Sequence, residues 1–153
     1  MPDSLAQLWR STVPGVMGHA IACDPASHSI FVADGWGIAY AALRLHRLDI
    51  RTGEHLADLR TRHQAVSGMI LGESYLYVAT DARLFELRPA DLSVVRQWER
   101  GLVRNTMHML PAGSSVVMAN WRSPTIGLLD LESGRTRRPQ HVNRSHAVCY
   151  ALP

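Results

Sequence analysis

The chain has no lysine: all 16 of its basic residues are arginine. We read that as a coding bias with little bearing on mechanism. It has two cysteines among 153 residues, Cys23 and Cys149. That is too few for a disulfide framework, and their spacing is unlike that of a metal-binding cluster; both are expected to be small buried hydrophobes. Aromatic residues are sparse at 7%. No apolar run approaches the roughly 18 residues that a membrane helix needs. The first fifteen residues lack a basic leader followed by an apolar core, so no secretory signal is read there and a cytoplasmic setting is expected. No 3.6-residue periodicity is sustained over a long window, which excludes long amphipathic helices. Catalytic signatures are missing too: there is no Gly-x-Ser-x-Gly, no His-x-His and no obvious carboxylate pair. A formal charge of +3 with a pI near 9.3 is mildly basic. It does not call for nucleic acid, because the arginine-rich stretch Arg135, Arg137, Arg138 and Arg144 has no interleaved aromatic residues to stack on bases. That stretch is either a solvated loop or a contact for an acidic partner.

What the chain does have is 46% apolar residues arranged in short pieces. From Thr106 to Arg135 the pieces are Met107–Leu110, Ser115–Ala119 and Ile126–Asp130, cut by Pro-Ala-Gly, Asn-Trp-Arg-Ser-Pro and Glu-Ser-Gly. Short β-prone runs between turn clusters predict an antiparallel meander. The unit recurs. Leu45–Glu54, Leu84–Ser93 and Ile126–Arg135 share one outline, with Leu48, Leu87 and Leu129 in register. Ile30–Asp34, Leu76–Thr80 and Val116–Asn120 also align. A period of roughly 40 residues with four strands per unit predicts propeller blades. The fold class is therefore all-β: three four-stranded meanders over about 19–60, 66–99 and 106–138 in one domain, 1–153. A stray strand is expected at each end, Leu5–Trp9 and Ala147–Leu152. A β-sandwich is the alternative all-β arrangement. Trp9 and Trp98 stand equally far ahead of His19 and His108 and are expected to pack between blades. Gly53 and Gly134 are expected at positive φ, closing the third-to-fourth-strand turns.

Gly18–Pro25 with Ile30–Asp34, the copy Tyr77–Thr80, and the turns Asp49–Gly53 and Asp130–Gly134 resemble the β-propeller repeats of the quinoprotein/YVTN type and of WD40-like proteins. The resemblance covers most of the chain. It implies a propeller fold and, as the main functional expectation, a binding or scaffold module with a protein or small-molecule ligand. It also allows a small-molecule hydrolase or lyase. No cofactor is predicted, though a metal ion is possible chemistry. Three blades leave open radial faces, so the chain is expected either to assemble with copies of itself or to form part of a longer propeller.

In such a fold the starts of the innermost strands and the loops between second and third strands meet around the channel mouth. The starts carry His19, His108 and His146, taken as matching positions. They are candidate acid/base groups or metal ligands, or else one ancestral histidine copied with the blade. The loops contribute candidate ligand-binding residues Asp34, Trp36, Tyr40, Asp81, Asn120, Trp121 and Arg122. Tryptophan and arginine together would make an aromatic–cation platform.

Overall fold

The computed structural model describes residues 18–34, 44–61, 66–80, 83–99, 106–120 and 126–137. The expected end strands, Leu5–Trp9 and Ala147–Leu152, lie outside the described residues. Among the described residues, twelve strands form three antiparallel sheets of four, each in simple sequence order. The first blade is β1 (Gly18–Asp24), β2 (Ser29–Asp34), β3 (Arg44–Asp49) and β4 (His55–Arg60). The second is β5 (Val66–Leu71), β6 (Leu76–Thr80), β7 (Arg83–Leu87) and β8 (Val94–Glu99). The third is β9 (Thr106–Ala112), β10 (Ser115–Asn120), β11 (Ile126–Asp130) and the short β12 (Thr136–Arg137). The first strands are neighbours, β1 beside β5 and β5 beside β9. The sheets therefore radiate from one inner edge.

Alternation of side chains along each strand gives every blade two faces. Its leading face meets the next blade and its trailing face the previous one. Phe31, Ala33 and Leu45 lead from the first blade onto Leu76, Val78, Leu87 and Leu92 of the second. Tyr77, Ala79 and Leu84 lead from the second onto Met109, Val116, Met118 and Leu129 of the third. These residues are buried. Packing between sheets is what holds the array together, since a four-stranded meander by itself leaves both apolar faces wet.

The turns between third and fourth strands are one device used three times. In each, the first residue's N–H bonds to the carbonyl five residues on, and its carbonyl accepts from the residue four on: Asp49 with Glu54 and Gly53, Arg88 with Ser93 and Leu92, Asp130 with Arg135 and Gly134. The residue four on is left-handed in all three, Gly53 at φ 72°, Leu92 at 60° and Gly134 at 68°. Glycine adopts this conformation without strain. Leucine does not, and Leu92 is held there by a side chain 1% exposed in the core between the first two blades. A carboxylate caps each turn: Asp49 accepts from the N–H groups of Arg51 and Thr52, Asp91 and Asp130 from the N–H and hydroxyl of Ser93 and Ser133.

These hydrogen bonds hold the carboxyls below their ordinary range, through the Arg51 N–H for Asp49 and through the serine hydroxyls for Asp91 and Asp130. A folded value below the unfolded one means that the stabilisation is present above the unfolded pKa of about 4 and is lost as pH falls through the folded value. Melting temperature should therefore fall below about pH 4. The Asp49→Asn, Asp91→Asn, Asp130→Asn triple variant should show a flatter acid limb. An acid limb as steep as the parent's would assign the loss to other groups.

Candidate functional site

The start of each inner strand lies against the end of the second strand of the same sheet: Gly18 opposite Asp34, Val66 opposite Thr80, Thr106 opposite Asn120. All three pairs sit beside a register shift. Bulges of this kind bend a strand and re-aim its side chains. Asp34 and Asn120, which the sequence reading assigns to a channel mouth, are thus register equivalents of Thr80. The register corrects the histidine alignment. Ile21, Met69 and Met109 are equivalent, opposite Val32, Val78 and Met118. His19 is therefore level with Ser67 and Met107, whereas His108 is level with Ala20 and Gly68. The two histidines are therefore one residue out of register with each other. His108 is exposed. His146, Trp36, Tyr40, Asp81, Trp121 and Arg122 lie outside the described residues. Among the described residues no group of three or more His, Cys, Asp or Glu is disposed to hold a metal ion.

Trp98 packs between the second and third blades as expected. Cys23 does not: it is exposed. It lies opposite Ile30 on the trailing face of the first blade, level with Leu71, which is packed against the core of the second. Its position is hydrophobic by repeat, but no described blade covers it.

A concavity that sequence patterning did not reveal opens between the outer strands of the first two blades. It encloses about 650 Å³. Leu59, Val78, Phe85, Val94 and Val95 supply apolar walls, Arg60 and Arg83 stand beside them, Arg96 lines the groove while its guanidinium is held by Glu86, and no carboxylate lines it among the described residues. Val94 and Val95 are 48% and 41% exposed, so large apolar surface faces water beside guanidinium groups. Arg83 is steadied by Gln97 at 3.3 Å. The signal that could have found this site is the Val-Val-Arg-Gln run of β8, which is apolar where an outer strand is ordinarily polar.

On the opposite face of the second blade, toward the third, is a polar centre. Glu86, 1% exposed, accepts from the Tyr77 hydroxyl at 3.2 Å and from Arg96 through Nε at 2.5 Å and Nη2 at 3.2 Å. Burial, and then Glu86 itself, push the Tyr77 phenol up to about 12, so it is a neutral donor. Arg96 also lies over the Trp98 ring at 5.1 Å and donates to the Leu131 carbonyl of the third blade at 3.0 Å. One side chain thus neutralises a buried carboxylate and ties two blades together. On the first blade His46 and His55 take the places of Phe85 and Val94, with Nδ1 and Nε2 3.2 Å apart and the rings edge to face.

No protein-family model matches the sequence, and no curated protein matches it. The structure does match solved ones. BamB from Moraxella catarrhalis aligns with a TM-score of 0.57 at 18% identity, over 79% of this chain and 37% of that one. The Pan2 WD40 domain of Neurospora crassa aligns at 0.56 and 17%, over 77% and 38%. The computationally designed Ika4 protein aligns at 0.72 and 15%, over 93% and 83%. The chain spans well under half the length of the two natural proteins. At these identities the likeness establishes fold: three blades of a WD40-like β-propeller.

Proposed function

We propose that the chain is a propeller binding module that holds an extended, acidic segment of a partner protein in the groove between its first two blades. The groove carries this reading: apolar walls beside Arg60 and Arg83, with no carboxylate in the lining among the described residues. An extended segment alternates its side chains, so it can bury apolar residues against Phe85 and the valines while carboxylates meet Arg60 and Arg83. Opposite charge also steers the encounter and disfavours basic partners.

The test is selection from a displayed library of random extended peptides. Enriched peptides should combine carboxylates with apolar residues. Their affinity should fall about tenfold or more in Arg60→Glu, Arg83→Glu. Enrichment without carboxylates, or equal binding to the double variant, would reject the groove. A second reading places a small ligand at the channel mouth, where exposed His108 stands beside a bulge. Peptides or ligands whose binding is lost in His108→Ala and retained in the arginine variant would favour that surface.

A further inference from the structure

The two interfaces inside the chain are the same interface made twice, down to an arginine that crosses each. Arg47 of the first blade donates to the Ala90 carbonyl in the turn of the second, and Arg96 of the second donates to Leu131 in the turn of the third. The two arginines occupy facing places on adjacent strands: Arg47 lies opposite Ala57, and Arg96 lies opposite Glu86, the equivalent of Arg47. In the third blade the same cross-strand pair is Leu128 and Arg137. Arg137 therefore stands where Arg96 stands, and it is exposed.

The surface around Arg137 repeats the pattern. Val117, Ala119 and Ile126 are the register equivalents of Tyr77, Ala79 and Leu84. The second-blade residues are 8%, 0% and 0% exposed, while their third-blade counterparts are half-buried. At the opposite end of the array, Ile21 is 69% exposed where its equivalent Met109 is 7%. Ile30 and Val32 are half-buried where Leu76, Val78, Val116 and Met118 are at most 1% exposed. Among the described residues the chain thus presents an uncovered leading face and an uncovered trailing face, the two halves of an interface it already forms twice.

We propose that a second copy of this chain covers them. The trailing face of its first blade packs on the leading face of the third blade, and Arg137 donates to a carbonyl of the neighbour's Asp49–Glu54 turn. That turn has the backbone geometry of the two turns that accept Arg47 and Arg96. The contact is head to tail, joining different surfaces, so it closes into a ring or extends according to the rotation per copy. It is independent of what the groove binds.

Because the two sides differ, they can be blocked separately. By sedimentation the parent should exceed 17.0 kDa. Ile21→Asp and Val117→Asp, confirmed folded by circular dichroism, should each be monomeric. Mixed, they should recover a one-to-one dimer, since each retains one intact side. Arg137→Ala, at an exposed position where folding is not at risk, should weaken association about tenfold, while Arg135→Ala should not. A parent that stays monomeric with a cooperative melt would overturn the proposal, as would assembly of either blocked variant by itself or failure of the mixture to pair. A parent that remains monomeric and gains mass only with a separate blade-bearing polypeptide would overturn it in favour of completion by other blades.

Discussion

Arg96→Ala should lower the unfolding free energy by about 3 kcal/mol. The variant leaves Glu86, 1% exposed, without its counter-charge in the core between the second and third blades. A buried carboxylate with one phenol donor is costly, and the range for such a stranded charge is roughly 3–5 kcal/mol. The Arg96 side chain is itself 47% exposed, so solvent already screens part of the pair and the lower end applies. Removing the charge together with its needs should cost far less. Tyr77→Phe, Glu86→Leu copies the residues at equivalent places, Phe31 in the first blade and Leu128 in the third. With Arg96 retained on Leu131, we expect a change under about 1 kcal/mol. Urea unfolding of the two variants and the parent measures both. Equal losses in both would mean that the centre contributes through packing rather than charge. The phenol gives a second readout: one tyrosine of the parent should titrate near pH 12, and that transition should move down in Glu86→Leu.

Gly134→Leu should destabilise by at least about 2 kcal/mol, although Leu92 occupies the equivalent position in the second blade. Two effects add. Gly134 has φ 68°, where a side chain is strained. A Cβ there would also meet the Trp98 ring at 3.0–3.1 Å. The first interface solves the same problem with the sizes exchanged. Leu59 is the equivalent of Trp98, opposite Leu45 as Trp98 is opposite Leu84. Leu59 packs against the cluster that holds Leu92. A smaller leading residue thus leaves room for a side chain on the left-handed turn residue. Trp98→Leu should therefore rescue part of the loss in Gly134→Leu, a coupling of about 1 kcal/mol in a double-mutant cycle. Additive losses would show that backbone strain by itself accounts for the effect.

Much of the architecture was written locally. Alternation along each strand, polar clusters between strands and a period of roughly 40 residues suffice for three meanders. A turn capped by Asp49 or Asp130 and closed by Gly53 or Gly134 announces itself in six residues. The second blade's turn was legible in Leu84–Ser93 but its left-handed residue was not, because Leu92 takes that position and Asp91 replaces the leading aspartate. Its glycine was dispensable once the side chain gained a core. The groove and the Glu86 centre were not legible. The groove needs two blades to pack, and the Glu86 centre needs the cross-strand register, because Tyr77, Glu86 and Arg96 carry no local mark of meeting.

Sequence by itself therefore determined the strands, their order and most of the turns, since hydrogen-bonded neighbours in a meander are also neighbours along the chain. Tertiary structure decided what depends on register and on which face is covered. Cross-strand pairing puts His19 two residues before Ile21 and His108 one before the equivalent Met109, which breaks the apparent histidine series. Cys23 and Ile21, apolar by pattern, are exposed because burial belongs to the interface between blades and not to the strand. Where a second blade packs, the same pattern gives a core. At the ends of the array it gives a surface.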